Sequence, residues 1–401
     1  MLVDHPYSIT KTLQTPSPLE SYERFCTSRF ELDDQFVIET VESLAELTGY
    51  LPAWQRLSNS SLVANPFYEP YYLLPAIQNL HPKDQIKFCF VFRKSLSNQR
   101  DEQLTGFFPL HKRSNSLLSM PRWRLFNDDL ILRSVPLLEN SHPEQTLTAF
   151  LQWAARTDIR LLEFDRVPGE GPFQHALIHA LRETRTIPCY ADQTSNAVLD
   201  KSMREPEGKS RAMREIGRKR RRLEDLGRLD FRILEDRESL PQWQQDFLRL
   251  EASGWKGREG TALALTDRER ELFLTITRQA SDRGKLLMAG LFLNDQPIAM
   301  KCNLVSGQEG LAWKIAYDEE YSRFSPGLVL EVDHKEYFLN HQPHLTRIDF
   351  CACSAHPLCR RIEHSQFCMQ RLLIPCHSLI AGLYCDLLPL LRRLKRHVLH
   401  N

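Results

Sequence analysis

The chain has 401 residues, of which 42% are hydrophobic and 26% are charged. Domains typically hold about 100–150 residues, so the length predicts two or three units, and the hydrophobic content excludes a chain that is disordered as a whole. The 52 Lys and Arg residues nearly balance the 51 Asp and Glu residues, which gives a formal net charge of +1. This balance argues against a protein that binds nucleic acid through its overall charge. Any electrostatic function must therefore be local.

The two ends of the chain indicate its compartment. Residues 1–6 lack the basic head and apolar run of a secretory signal, so we expect a cytoplasmic protein. The most apolar stretch, residues 372–391, contains prolines, a histidine and an aspartate, which favours a buried or surface-docked helix over one that crosses a bilayer. The basic sequence that follows, residues 392–396 (RRLKR), leaves open a helix that lies on an anionic membrane face.

The cysteines predict neither a disulfide framework nor a zinc site. Ten are present, and six of them lie between residues 351 and 385. Without a secretory signal, disulfides are not expected, and the spacing contains no C-x2-C pair of the kind that zinc fingers and ribbons use. We therefore expect reduced, mostly buried thiols and no metal.

The first half of the chain predicts a leader followed by an α/β unit. Residues 1–35 are polar and predict a loosely ordered leader, and a first domain is expected over residues 36–200. Val41, Leu44, Leu47 and Leu51 follow a helical period. The other predicted elements are helices at 71–80 and 144–155 and strands at 86–92, 104–110, 160–164, 187–190 and 197–199.

The second half repeats this order of helices, hairpin strands and a β-α-β step, which predicts a second domain over residues 201–375. A C-terminal amphipathic helix is expected over residues 376–401. The elements predicted between them are helices at 210–226, 241–252, 267–281 and 326–339 and strands at 229–234, 286–293, 298–304, 311–317 and 345–351.

A basic helix joins the two halves. Residues 201–228 contain eleven Lys or Arg against five Asp or Glu. Clustered arginines bind phosphates in bidentate fashion, so the helix could contact a nucleic acid or the phosphates of a cofactor. However, Met213, Ile216, Leu223 and Leu226 fall close to one stripe, as in an ordinary amphipathic helix with a solvated charged face. Both interpretations remain open.

The segment 323–327 (RFSPG) predicts a helix that begins directly after a strand and an acidic turn. Ser is a preferred N-cap, and Pro at the first helical position loses only an amide that has no partner in the helix. Gly327 lets another group approach the backbone closely. The free amides of such a helix start, with Arg323 ahead of it, favour an anion such as a phosphate. The same sequence is also a common helix start without any ligand.

Five further side chains are candidates for a site. Lys314 interrupts an apolar strand, so it must pair with a carboxylate, reach the surface or face a cleft. Asp349 on the following strand is a candidate partner for it and a candidate general base. Tyr317 ends the first of these strands and is either an edge-strand aromatic or a proton donor. Trp255 and Lys256 follow a predicted helix and either line a pocket or serve the fold alone.

The order of motifs over about residues 250–363 resembles the Gcn5-related N-acetyltransferase (GNAT) fold. More narrowly, it resembles the acetyltransferases associated with bacterial cellulose and exopolysaccharide biosynthesis (the CelD/BcsL type). The first half matches only in its order of elements, so the resemblance implies an α/β fold with a mixed sheet and two tandem GNAT-like domains, the second better matched. The segments that carry it are 251–261 (EASGWKGREGT), 294–299 (NDQPIA), 314–318 (KIAYD), 323–327 (RFSPG) and 348–351 (IDFC).

The resemblance implies an acyltransferase that uses acetyl-CoA as its donor and a sugar or polysaccharide precursor as its acceptor, at an amine or a hydroxyl. It assigns Tyr317 to protonation of the leaving thiolate, with Lys314 and Asp349 as further catalytic candidates, and it assigns Trp255 and Lys256 to the acceptor. The turn departs from the superfamily pattern Arg-x-x-Gly-x-Gly, since it has one glycine in place of two. The residues assigned to the cofactor are Arg323, Phe324, Ser325, Pro326 and Gly327.

Two other functions remain open from the sequence. Peptidyltransferases of the Fem type also use two tandem copies of this fold and take an aminoacyl group from tRNA, in which case the basic helix would hold RNA. A non-catalytic scaffold of a polysaccharide-synthesis complex would keep the fold without the chemistry. Under the acyltransferase interpretation, the expected partners are the saccharide acceptor and the polysaccharide-synthesis machinery, without nucleic acid and with at most a peripheral membrane contact.

Overall fold

The computed structural model describes residues 24–95, 101–113, 120–202, 210–362, 364–376 and 379–387. The strands of these ranges belong to one mixed sheet. They are β1 (Ser28–Glu31), β2 (Phe36–Val41), β3 (Ile86–Lys94), β4 (Glu102–Arg113), β5 (Arg122–Leu125), β6 (Leu137–Leu138), β7 (Leu161–Pro168), β8 (Cys189–Asp200), β9 (Leu229–Ile233), β10 (Leu286–Leu293), β11 (Gln296–Ser306), β12 (Glu309–Tyr317), β13 (Arg347–Cys353) and β14 (Ser365–Pro375).

Helices cover both faces of this sheet. Residues 379–387 are also helical. The α-helices with described bounds are α1 (Leu51–Asn59), α2 (Pro70–Leu80), α3 (Pro143–Ala155), α4 (Gly171–Glu183), α5 (Arg211–Glu224), α6 (Leu240–Ser253), α7 (Trp255–Arg258), α8 (Asp267–Asp282) and α9 (Pro326–His341).

The sheet contains the same arrangement twice. In each half, antiparallel strands are followed by a helix and by a strand that pairs in parallel: β5 with β7 around α3, and β12 with β13 around α9. The full order is β1-β2-β3-β4-β5-β7-β14-β8-β13-β12-β11-β10-β9, with β6 paired to β4. The predicted fold class, a mixed α/β sheet with two tandem units, is confirmed.

The last strand of the chain returns to the first half. β14 lies between β7 and β8 and is antiparallel to both, while β8 also pairs with β13. The expectation of a helix from residue 372 onward is therefore wrong at its start, because Leu372, Leu373 and Ile374 are buried strand residues. A short apolar run suits a strand with both faces covered as well as it suits a helix, so its period could not distinguish them.

The N-terminal part of the sheet also differs from the expected pattern. Val41, which was expected in a helix, is the last residue of β2, and a 3-10 helix occupies Leu44–Tyr50 before α1 begins. All six residues of β2 are buried, so no alternation marks the strand. Within the segment expected to be a leader, Ser28–Glu31 form β1 and pair with β2.

Aromatic packing connects the two halves across the core. Trp313 on β12 stacks against Phe273 of α8, with ring centroids 5.7 Å apart, and meets Tyr72 of α2 edge-on at 5.6 Å. All ten cysteines are free thiols. Among the described helices, none combines the length and the apolar character needed to cross a bilayer.

Candidate active site at the splayed strands

The strands β12 and β13 pair only over their first residues. Glu309, Gly310 and Leu311 are in register with residues 347–349, and the pairing ends there. Beyond that point β13 turns towards β8, with Cys351 in a left-handed conformation (φ 50°) and Cys353 paired to Asn196. The C-terminal part of β12 is therefore open on this edge.

The open edge of β12 presents backbone groups to the gap. The N–H of Asp318 donates to Ile298 O of the β11 side at 2.8 Å. Because backbone groups alternate in direction along an antiparallel strand, Ala316 also points to β11, while Ile315 and Tyr317 point to the gap. Lys256 Nζ donates to Ile315 O at 3.2 Å, which agrees with this direction. The gap thus contains donors and acceptors that the sheet does not use.

A cavity of about 480 Å³ lies at this opening, and we call it the splay cavity. Its walls come from the end of α6, from α7, from the open end of β12, from the start of α9 and from the loop after β13. It is lined by Leu250, Glu251, Gly254, Trp255, Lys256, Ile315, Ala316, Tyr317, Ser322, Ser325, Pro326, Gly327, Leu328, His356, Pro357, Leu358 and Arg361.

The turn at the start of α9 offers one main-chain donor to the cavity. Ser325 has left-handed backbone angles (φ 52°, ψ 58°), which cost a non-glycine residue energy and are often retained at functional sites. The N–H groups of Leu328 and Val329 both donate to Ser325 O. Pro326 has no N–H. Among the described contacts, Gly327 N–H is the amide of this turn that remains for a ligand.

Two cations supplement that single amide. Lys219 of α5 donates from Nζ to Ser325 Oγ at 2.7 Å, so the basic helix reaches the turn directly. Arg361 lies on the cavity wall, and its guanidinium is 3.7 Å from Glu215, a residue of α5 that is also 3.8 Å from Lys219. The sequence marked the helix as basic but contained no signal that joins Lys219 to residue 325.

Arg323 and Phe324 lie outside the lining of the cavity, although the sequence assigned both to the cofactor. Phe324 is buried in the core, and Arg323 is exposed with its guanidinium 4.6 Å from the Phe324 ring. The intervening 3-10 helix Glu319–Phe324 turns these two side chains away from the cavity. Ser325, Pro326 and Gly327 do line it.

Lys314 and Asp349 are not a pair and do not line the cavity. Lys314 lies on the opposite face of β12 from Ile315 and Tyr317, and the described residues provide no ion pair for it. Burial lowers its pKa from the ordinary value of 10.5, although the charge of Glu251 opposes this. Asp349 is buried and accepts from Arg133 at 2.7 Å and from Asn196 at 3.3 Å. The expected Lys314–Asp349 contact is therefore wrong, because Arg133 of the first half occupies the carboxylate.

Trp255 and Lys256 both line the cavity, which is one of the two alternatives that the sequence left open. Lys256 Nζ is 2.8 Å from Glu251, which is buried and also accepts from Leu263 N–H. Trp255 N–H donates to Glu319 at 2.6 Å. The acidic turn ahead of α9 thus holds the start of α7 against the cavity, and its charge is partly neutralised by Arg258, 2.7 Å from Glu319.

His356 is a cavity residue that the sequence analysis did not assign. It is exposed, and its Nδ1 is 3.3 Å from Leu358 N–H, which donates to it. In the neutral ring this leaves the proton on Nε2, so the imidazole can donate to a ligand. No pattern of neighbouring residues distinguished this histidine from the others. Metal ligation has no support in the described ranges, where His, Cys, Asp and Glu form no cluster able to hold an ion.

The comparisons with known proteins agree with this geometry. Residues 210–355 match the family model described as "Acetyltransferase (GNAT) domain". Among solved structures, FemX is 11% identical with a TM-score of 0.51, over 86% of this chain and 98% of its own. A conserved protein of unknown function from Bacteroides thetaiotaomicron is also 11% identical with a TM-score of 0.51, over 81% and 96%.

A tandem GNAT protein from the clavulanic acid biosynthesis pathway is 12% identical over 85% of this chain and 99% of its own, with a TM-score of 0.42. No curated protein matches the sequence significantly. Residues 210–355 are therefore similar to a GNAT acetyltransferase domain, within a chain that shares its mixed α/β fold with FemX.

Proposed function

We propose that the protein transfers an acyl group from an acyl-CoA thioester, with acetyl-CoA as the expected donor, to an amine or a hydroxyl. The splay cavity is the observation that carries this proposal. It joins an open strand edge, a helix N-terminus and a rim of cations in one space of about 480 Å³, within the range of roughly 300–1,000 Å³ that small-molecule sites occupy.

In this proposal the donor phosphates lie at the turn before α9. Gly327 N–H supplies one hydrogen bond, and Lys219 and Arg361 supply charge. Hydrogen bonds from charged donors are about twice as strong as neutral ones, so the two cations offset the amides that a second glycine would have provided. The thioester lies along β12, where the N–H groups of Ile315 and Tyr317 can donate to its oxygen.

The reaction requires a proton donor for the leaving thiolate and a base that takes the proton of the acceptor. The acceptor attacks the thioester carbonyl, the C–S bond breaks, and the thiolate takes its proton from the hydroxyl of Tyr317, which regains one from water at the open mouth of the cavity. Glu251 is already paired with Lys256 and Leu263 N–H, so we assign the acceptor proton to water at the open mouth. His356 Nε2–H and Trp255 are placed to orient the acceptor.

We propose an amino sugar or a polysaccharide precursor as the acceptor, in the cytoplasm. This part of the proposal is supported by the resemblance of residues 250–363 to the CelD/BcsL-type acetyltransferases.

Aminoacyl transfer from tRNA is the second candidate, and the surface of α5 favours it. Five arginines of this helix are exposed and have no ion pair among the described residues. At 100° per residue they fall within one arc of about 100°, opposite the buried Ile216 and Leu223. Such a stripe suits the spaced phosphates of a nucleic acid. The residues are Arg211, Arg214, Arg218, Arg221 and Arg222.

Ligand-dependent melting of the whole chain separates these functions. A donor present at 100 times its Kd should stabilise the fold by about 2.7 kcal/mol, so acetyl-CoA should raise Tm in a concentration-dependent way. No rise at millimolar acetyl-CoA, together with tRNA binding that weakens steeply with salt, would replace the proposal with tRNA-dependent transfer. No response to either ligand would favour a scaffold without chemistry.

A further inference from the structure

The helical segment 379–387 presents an apolar face to solvent. Leu379, Ile380, Leu383 and Leu387 are exposed by 89%, 64%, 61% and 51%. At 100° per residue these four side chains lie within one arc of about 100°. The opposite side of the helix, with Ala381 and Cys385, is buried against Leu161 and Leu373. A surface helix normally directs its polar residues to water, whereas this one directs mainly apolar residues to water, with Asp386 beside them.

A second group of exposed apolar residues borders this helix. The segment between α4 and β8 contributes Ile187, which is 84% exposed, and Tyr190, which is 57% exposed. An open groove between residues 184–189 and the helix joins the two groups, and Leu379 and Leu383 lie on its wall. The other four exposed large apolar side chains among the described residues, Phe25, Leu226, Trp255 and Leu265, come from separate segments of the chain, whereas these residues border one groove. We call this surface the C-terminal apolar face.

Charge indicates what covers this face. The sequence directly after it, residues 388–401, contains four Lys or Arg and no Asp or Glu. A symmetric contact between two copies would bring two such segments close together, with like charges opposed. An anionic lipid surface instead satisfies both features, because its acyl layer accepts apolar side chains and its headgroups attract cations.

We propose that the C-terminal apolar face docks the protein on the surface of an anionic lipid bilayer. The helix lies in the plane of the interface, with Leu379, Ile380, Leu383 and Leu387 inserted. The positive charge of the sequence that follows adds attraction to the anionic headgroups. This inference does not depend on the reaction at the splay cavity, and it holds for either proposed donor.

Sedimentation of the full chain with vesicles tests the proposal. The protein should sediment with vesicles of equal parts phosphatidylcholine and phosphatidylglycerol, much less with phosphatidylcholine alone, and less as salt rises. The double variant Leu379→Ser/Leu383→Ser should lose binding by roughly tenfold or more, since two inserted side chains are removed. Both positions are exposed, so its Tm should stay close to that of the wild type.

Leu265→Ser is the matched control, because Leu265 is 51% exposed in the second half of the chain and should leave vesicle binding unchanged. The proposal is overturned if the wild type ignores anionic vesicles, or if the double variant binds them equally well. It is also overturned if the double variant changes only the oligomeric state, measured by light scattering, because the face would then join two copies of this chain.

Discussion

At the scale of single residues, the site depends on a side chain from outside the strand-turn-helix motif. Lys219 belongs to α5, more than one hundred positions before the turn, yet it donates to Ser325 Oγ at 2.7 Å. It therefore does two things at once: it holds a residue with left-handed backbone angles, and it places a charge beside Gly327 N–H. Arg323, four residues upstream of Gly327, is the cation that the sequence suggests, and the 3-10 helix directs that arginine elsewhere.

Replacing these two cations separately distinguishes the two assignments. Lys219→Ala should weaken acetyl-CoA binding by roughly tenfold, the loss expected for one charge-assisted hydrogen bond of about 1.5 kcal/mol. Arg323→Ala should change the affinity little, because Arg323 is exposed and stacked on Phe324. Isothermal titration with acetyl-CoA measures both. If Arg323→Ala is the more damaging variant, the assignment from sequence is correct and ours is wrong.

Lys314 is a lysine whose burial destabilises the folded protein. Its pKa is lowered because burial disfavours the charged form, so the unfolded chain binds its proton more readily than the folded one. The free energy of unfolding therefore increases as pH rises towards 10.5, the ordinary pKa of lysine. Lys314→Met should raise the free energy of unfolding by about 1 kcal/mol at pH 7, and the gain should shrink as pH rises towards 10.5.

Thermal melts at several pH values measure that difference. A variant that is more stable and still transfers the acyl group confirms a structural position for Lys314. A variant that is more stable but inactive would restore the catalytic role that the sequence assigned to it.

At the scale of elements, β14 determines whether the first half has a complete sheet. It lies between β7 and β8 and pairs with both along most of its length. Without it, two long strands would lose their partner and expose backbone groups that have no alternative partner. Residues 161–168 therefore pair with β14, a strand that lies far from them in the sequence.

Truncation tests the importance of β14. A chain that stops after residue 363 should be largely insoluble or melt without cooperativity, because β7 and β8 lose their shared partner. The matched control stops after residue 376, which keeps β14 and removes the helical segment that covers Leu161 and Leu373. This control should fold, with Tm lower by a few degrees. Circular dichroism melts compare the two, and a cooperative melt of the shorter chain would contradict the argument.

The sequence predicted the second half well because its elements are periodic and local. α8, α9, β10 and β12 begin or end within about two residues of the predicted positions. Three of the five residues assigned to the turn, Ser325, Pro326 and Gly327, also reach the cavity, and so do Trp255 and Lys256. What the sequence could not predict was long-range: the insertion of β14, the bond from Lys219, and the partner of Asp349. These contacts join residues that no period or motif connects.

At the scale of the whole molecule, a buried arginine joins the two halves. Arg133, between β5 and β6, is fully buried and is 2.7 Å from Asp349 and 2.8 Å from Glu309. It also donates to Ala64 O at 2.8 Å. Burial alone would raise the pKa of Glu309, but the charges of Arg133 and Arg347 outweigh it and hold that pKa below the ordinary 4.5. Two strands of the second half thus depend on one side chain of the first.

Arg133→Met should consequently destabilise the entire chain and not one half. Asp349, which is buried, loses its charged partner, and Glu309 keeps only Arg347, so the change should cost about 3–5 kcal/mol near neutral pH. Because the pKa of Glu309 is lowered in the folded protein, the stability that this pair contributes is present above pH 4.5 and is lost as pH falls through the folded value. The deficit of the variant should therefore shrink as pH falls below 4.5 and Glu309 takes up its proton. Adding Asp349→Asn to Arg133→Met should recover part of the loss, since one unpaired charge is removed.

Calorimetry should show a single transition in the wild type and in both variants. A second transition in the Arg133→Met protein would mean that the two halves unfold independently and that this ion pair does not couple them.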